Sequence, residues 1–100
     1  LPEISWLKSG EIYQIMRQDT LALAEYDSLI TLHPASFYTP IAFERKGDIY
    51  SESRHNCEQA RQMYQQVLLN HPGSLNVEDV RKKLQRTEKT ICVQEDKTKS

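Results

Sequence analysis

Two histidines stand in the same four-residue phrase, His-Pro-x-Ser, at positions 33–36 and again at 71–74. Histidine is a frequent metal ligand and general base, so the repeated phrase could mark a site that is used twice. A metal site needs further ligands at short spacing, and neither His33 nor His71 has a His-x3-His partner or a nearby Cys/Asp cluster. The simpler interpretation places each histidine in the last turn of a helix, against the negative end of its dipole. We therefore expect no metal and no cofactor.

Other residues that could carry out chemistry also lack a catalytic setting. The chain has no Gly-x-Ser-x-Gly motif, no glycine-rich phosphate loop and no recognisable Ser/His/Asp arrangement. Cys57 follows the predicted helix cap Asn56 but precedes Glu58, and packing explains it better than thiol reactivity does. Cys57 and Cys92 lack metal-ligand spacing, and a single possible pair argues against a disulfide framework. The sequence predicts no enzymatic activity.

The bulk composition describes one small soluble domain. Of 100 residues, 38% are hydrophobic and 27% charged, and three glycines with four prolines favour helices over a turn-rich β fold. The formal charge is -4 over residues 1–60 and +3 over residues 61–100, an asymmetry too mild for a nucleic-acid-binding face. No apolar run approaches the roughly 18 residues that cross a bilayer. The chain begins without Met, which indicates a piece of a longer protein, and its compartment, periplasmic or cell-envelope or cytoplasmic, stays open.

Apolar spacing predicts five helices, the fifth more weakly than the others. They cover residues 4–18, 20–33, about 38–53, 57–70 and 77–91. Asp19 and Asn56 are predicted N-caps of the second and fourth helices. Pro34 and Pro72 end the same two helices, because a helix seldom continues through a residue that lacks a backbone N–H. The charged residues 93–100 are predicted to be a disordered tail.

Residue types recur along these helices at an almost constant distance, 37 residues in the first helix of each pair and 38 in the second. The first copy consists of Trp6, Gly10, Tyr13, Ala22, Tyr26 and Pro34. The second copy consists of Phe43, Gly47, Tyr50, Ala60, Tyr64 and Pro72. The one-residue difference falls in the connection at residues 51–56, where an insertion is easily tolerated.

This spacing resembles the tetratricopeptide repeat, a helix–turn–helix unit of about 34 residues. The resemblance implies an all-α fold of antiparallel helix-turn-helix repeats, stacked as a short right-handed α-solenoid of about five helices. Repeat one would cover about residues 3–36, repeat two about 40–74 and a capping helix about 77–91, within a domain of residues 1–92. The loop after each proline is similar to that of tetratricopeptide proteins of bacterial cell envelopes. The family's Leu before the Gly is replaced by Ser9 and Lys46.

In this family the inner positions of each repeat's first helix face a partner peptide or helix. By register, these partner-groove positions are Ile4, Leu7, Glu11, Gln14 and Ile15 in the first copy, and Ile41, Glu44, Asp48, Ser51 and Glu52 in the second. The acids Glu11, Glu44 and Asp48 oppose the carboxylate clamp of a eukaryotic subfamily, which uses Lys, Arg and Asn there. An acidic, partly apolar groove would suit a basic and apolar partner. The alternative is that these acids are merely solvated.

The resemblance predicts a non-catalytic protein–protein interaction module that binds a protein or peptide partner. It predicts no nucleic-acid binding and no membrane insertion. Two alternatives remain open. One is a structural or assembly role, through a homo-oligomer or through packing on the rest of a larger protein, for example in bacterial envelope assembly. The other is a recruiting region of a larger enzyme.

Overall fold

The computed structural model of the chain describes residues 2–87, and these contain five α-helices, one π-helical turn and no strand. The helices are α1 (Pro2–Ile15), α2 (Asp19–Leu32), α3 (Thr39–Asp48), α4 (Cys57–Asn70) and α5 (Val77–Arg86), and the π-helical turn (Ile49–Ser53) follows α3 directly. The predicted all-α fold is confirmed. The expected extension of the fifth helix to residue 91 and the predicted disordered tail lie outside the described residues.

Of the two predicted N-caps, Asn56 caps its helix and Asp19 does not. Asn56 caps α4 as predicted, because its side-chain oxygen accepts a hydrogen bond from the backbone N–H of Gln59 at 3.1 Å. The prediction of Asp19 as the cap of α2 is wrong by one residue. Gln18 is the cap residue, and Asp19 is the first residue of the helix, where its charge lies at the positive end of the dipole.

The turns that join the two helices of each pair are alike apart from one extra residue in the second. The closing hydrogen bonds run from the N–H of Gln18 to the carbonyl of Tyr13 at 2.9 Å, and from the N–H of Asn56 to the carbonyl of Tyr50 at 2.7 Å. Arg17 and His55 occupy the same place in the two turns and have positive φ angles of 63° and 51°. The π-helical turn accommodates the extra residue of the second turn. The insertion thus lies within residues 51–56, as the repeat spacing predicts.

A glycine–tyrosine contact holds each helix pair together as a hairpin. A Cβ atom on Gly10 would lie 2.7 Å from Cζ of Tyr26, and a Cβ on Gly47 would lie 2.9 Å from Cζ of Tyr64. Both tyrosines are fully buried. Only a residue without a Cβ lets the first helix come this close to the ring.

Two apolar clusters make the hairpins into a stack. The first contains Leu7, Ala22, Tyr26, Leu29, Ala42 and Ile49, so α3 closes the hairpin of α1 and α2. The second contains Ala60, Tyr64, Val67, Val77 and Val80, so α5 closes the hairpin of α3 and α4. The described residues therefore form a stack of two hairpins and one capping helix, as the repeat predicts.

The serine of each His-Pro-x-Ser phrase starts the next helix. The Ser36 hydroxyl oxygen accepts a hydrogen bond from the N–H of Tyr38 at 3.1 Å, and Ser74 accepts one from the N–H of Asn76 at 3.4 Å. The phrase is therefore a joint between hairpins.

Cys57 is the first residue of α4 and is buried, as the packing interpretation predicts. It is also disulfide-bonded, which corrects the sequence argument against a disulfide. Cys92 lies outside the described residues.

Candidate partner-binding groove

The first helices of the successive repeats, α1, α3 and α5, are linked by two ion pairs of the same design. Arg45 on α3 lies 3.3 Å from the Glu11 carboxylate on α1. Lys83 on α5 lies 3.0 Å from the Asp48 carboxylate on α3. Asp48 follows Glu11 by 37 residues and Lys83 follows Arg45 by 38, so the two pairs occupy equivalent repeat positions. Thus α3 supplies a base to an acid on α1, and α5 supplies a base to an acid on α3. We call the surface along α1, α3 and α5 the groove.

An open depression lies beside each ion pair. The first, of about 350 Å³ between α1 and α3, is lined by Glu11, Gln14, Ile15 and Arg45. The second, of about 230 Å³, is lined by Asp48, Ser51, Glu52, Tyr64, Lys83, Arg86 and Thr87. The first depression offers an apolar contact, because the Ile15 side chain is 81% exposed. The second depression offers charged and hydroxyl groups.

A buried polar network underlies the second depression. The Lys83 ammonium lies 2.8 Å from the Glu44 carboxylate and 3.0 Å from that of Asp48. The Tyr64 hydroxyl donates a hydrogen bond to the second oxygen of Asp48 at 2.7 Å, and the Asn76 amide donates one to Glu44 at 3.0 Å. Because each carboxylate has a positive and a neutral donor, this network joins α3, α4 and α5 without leaving a buried charge alone.

The ionisation of the groove residues follows from this arrangement. Burial disfavours the charged form of Lys83, but the hydrogen bonds to Glu44 and Asp48 outweigh burial and raise its pKa above the ordinary value. Burial, with the adjacent Asp48 charge, raises the pKa of Tyr64. Burial also raises the pKa of Tyr26, whose hydroxyl donates to the Gln14 side chain at 2.8 Å. Lys83 is therefore charged and both tyrosines are neutral at physiological pH.

The structure places five of the ten predicted groove residues around the depressions as open lining residues. These are Glu11, Gln14 and Ile15 in the first depression, and Ser51 and Glu52 in the second. Asp48 also lines the second depression, but it and Glu44 are each only 8% exposed, and Lys83 forms an ion pair with both. Two of the acids that the sequence predicts to bind a partner, Glu44 and Asp48, therefore contact Lys83 of the same chain.

The predicted apolar groove residues also differ in how far they are buried. Leu7 is buried in the first cluster, and Ile41 packs against that cluster, whereas Ile4 is half-buried on α1. Sequence reasoning missed the bases Arg45, Lys83 and Arg86, which make the groove mixed in charge rather than acidic. The sequence does contain a signal for two of these bases, because Asp48 follows Glu11 by 37 residues and Lys83 follows Arg45 by 38.

The repeated histidines contribute to packing and not to the groove. His33 ends α2 with its ring 5.6 Å from Trp6 and its Nδ1 atom 3.3 Å from Glu3, and His71 ends α4 with its ring 6.2 Å from Phe43. Trp6 and Phe43 are equivalent positions of the repeat. Among the described residues, no group of three or more His, Cys, Asp or Glu side chains is placed to hold a metal ion.

The tetratricopeptide-repeat family model matches residues 42–74, which span α3 and α4 with their joint. The chain therefore carries a tetratricopeptide repeat, as its sequence resemblance predicts, and the hairpin of α1 and α2 repeats the same contacts. Tetratricopeptide repeats generally mediate protein–protein interaction and are typically non-catalytic. No curated protein and no solved structure matched the chain, so the cell-envelope resemblance stays a prediction. None of the helices within residues 2–87 has both the length and the apolar character of a membrane span.

Proposed function

We propose that this chain is a non-catalytic module that holds a partner peptide or helix in the groove of α1, α3 and α5. The observation that supports the proposal most is the pair of repeat-related depressions, each open and each beside an interhelical ion pair. A ligand that crosses α1, α3 and α5 would meet the same local geometry twice. Repetition of this kind suits a linear polypeptide better than a compact small molecule.

The lining residues define the chemistry of the partner. Ile15 in the first depression would contact an apolar side chain. Glu52, exposed in the second depression, would attract a basic one. Because Arg45 and Lys83 already neutralise the neighbouring acids, the apolar contact would supply most of the affinity. The expected partner segment is thus mainly apolar, with a basic group placed to meet Glu52, and its binding depends only weakly on salt.

Two matched double variants test this function in pull-downs from a lysate of the source organism, read by mass spectrometry. Ile15→Glu/Glu52→Lys changes an apolar and an acidic residue of the groove. Leu69→Glu/Glu58→Lys makes the same two changes at exposed positions of α4, the second helix of its hairpin. We expect the groove variant alone to lose the partners that the wild type captures. Equal capture by both variants, with circular dichroism showing both folded, would contradict the proposal.

A structural role through self-association is the second candidate. It is favoured by exposed apolar side chains at the end of the stack formed by α1 and α2. Three of these side chains, Ile12, Met16 and Leu21, line neither depression.

A further inference from the structure

Cys57 carries a covalent bond that the repeat pattern does not explain. It is the first residue of α4, it is only 4% exposed, and it is disulfide-bonded. The residue equivalent to it in the first hairpin is Asp19, 38 positions earlier. Because the sequence contains two cysteines, Cys92 is the only partner that Cys57 has within one molecule.

The topology of the second repeat brings the end of α5 towards the start of α4. Thr87, the last described residue, lines the second depression together with Ser51 and Glu52, which belong to the π-helical turn before α4. Cys92 follows Thr87 by five residues. Five residues of extended chain span up to about 17 Å, so a segment of this length can cross a depression of about 230 Å³. The sequence after α5 thus permits the pairing of Cys92 with Cys57.

The two halves of α5 are held to the stack by different contacts. Near the start of the helix, Val77 and Val80 are buried in the second apolar cluster. The second half contributes Leu84, which is only partly buried, and the ion pairs of Lys83. A covalent bond just beyond α5 would therefore secure the end that apolar packing holds less tightly.

A bond between positions 57 and 92 also encloses part of the second depression and none of the first. Four of the seven residues that line the second depression lie between these positions, whereas all four that line the first lie before position 57. A cross-link restricts the open states of the segment that it closes. Loss of the bond should therefore loosen the second depression and leave the first unchanged.

We propose that Cys57 and Cys92 form a redox-sensitive clasp, which holds the end of α5 against the turn before α4 and keeps the second depression in shape. A dithiol reductant opens the clasp. It transfers two electrons and two protons to the disulfide, which becomes two thiols, and the dithiol is itself oxidised to a disulfide. The clasp stays closed in an oxidising compartment, where disulfides persist. Its effect on partner binding rests on the proposed function of the groove: a basic partner group at Glu52 would be held more weakly once the clasp is open.

Tryptic digestion of the full chain, produced under oxidising conditions and isolated as a monomer without reductant, tests the pairing directly. Cleavage after Lys and Arg releases residues 55–61, which contain Cys57, and residues 90–97, which contain Cys92. We expect mass spectrometry to find the two peptides as one species, lighter than their sum by two hydrogen masses and separated by dithiothreitol. Free thiols at both cysteines overturn the proposal, and so does a link between two copies of the same peptide.

Hydrogen–deuterium exchange with and without dithiothreitol tests the clasp in the absence of any partner. Reduction should raise exchange at least tenfold at residues 48–52 and 83–87, because a disulfide across a loop of this length shifts the opening equilibrium by on the order of 100-fold. Residues 11–15 of the first depression are the internal control and should not change. Cys92→Ser is the matched variant, because it removes the bond and keeps the buried Cys57. It should exchange like the reduced wild type, with or without dithiothreitol.

Three results of the exchange experiment would overturn the clasp. One is unchanged exchange at residues 48–52 and 83–87 after reduction. Another is an equal increase at residues 11–15, with circular dichroism reporting whether the whole chain has unfolded, because the bond would then stabilise the entire stack. The third is an effect of dithiothreitol on Cys92→Ser as large as on the wild type. Because no partner is present, these results do not depend on whether the groove binds a peptide.

Discussion

Replacement of Gly47 by alanine should unfold the second hairpin at a lower denaturant concentration, although alanine is the better helix former. The added Cβ would lie 2.8 Å from Cδ1 and 2.9 Å from Cζ of Tyr64, well inside van der Waals contact. Tyr64 is fully buried, and its hydroxyl is bound to Asp48 at 2.7 Å. The ring can therefore move away only if it disturbs that hydrogen bond and the second cluster.

The magnitude follows from three opposing contributions. Overpacking a filled core costs about 1–3 kcal/mol, and weakening the Tyr64–Asp48 hydrogen bond costs about 1 kcal/mol. The helix propensity of alanine returns about 1 kcal/mol relative to glycine. We expect Gly47→Ala to lower the free energy of unfolding by about 2 kcal/mol. Urea denaturation followed by far-ultraviolet circular dichroism measures it.

Gly73 provides the matched control, because a Cβ placed on it meets no atom within 4 Å. Gly73→Ala should change the free energy of unfolding by less than about 0.5 kcal/mol. A Tyr64→Leu exchange in the Gly47→Ala background should make the two changes less costly together than their sum, since the clash is then removed. If Gly47→Ala is neutral or stabilising, the close approach of glycine to the ring is not what holds the hairpin.

Three further predictions concern the polar network, its pH dependence and the first turn. Lys83→Met should lower the free energy of unfolding by about 2 kcal/mol, because it leaves the buried Glu44 and Asp48 without their cation. An unchanged midpoint in urea denaturation would contradict a stabilising role of this polar network. The raised pKa values of Lys83 and Tyr64 mean that the folded state binds both protons more tightly, so stability should be full at neutral pH and should fall above about pH 10. Thermal melts at neutral pH and at about pH 11 measure this change, and a melting temperature equal at both would refute it. Arg17→Gly should raise the free energy of unfolding by about 1 kcal/mol, because Arg17 has a φ of 63°, which glycine adopts without strain. Urea denaturation measures this change. A loss of stability would show that the Arg17 side chain contributes more than its backbone strain costs.

The helical hairpins could be predicted because their determinants are local. The last helical residues of α2 and α4 lie two positions before Pro34 and Pro72, and a glycine four residues after an aromatic marks where another helix can approach. Asp19 shows the limit of this reasoning. An acid at the cap and an acid at the first helical residue both oppose the positive end of the dipole, so sequence alone does not separate them.

The candidate groove was harder to predict because its charges pair between helices that are distant in the chain. Glu44 and Asp48 look like surface acids on a helical wheel, and only the position of α5 brings Lys83 against both. The register between α3 and α5 depends on how Val77 and Val80 pack into the second cluster. Analysis of each helix by itself does not predict the register between α3 and α5. The recurrence of acids and bases at repeat spacing does indicate which side chains could pair.

The position of a bound partner is the most direct test of a groove function. Hydrogen–deuterium exchange of the chain, alone and with a partner segment identified in the pull-down, compares protection along the two faces of the hairpins. We expect added protection at residues 11–15 and 48–52, which line the two depressions, and no change along α4 beyond its contacts with α3. Protection confined to α2 and α4, with residues 11–15 and 48–52 exchanging as in the free chain, would contradict binding in the groove.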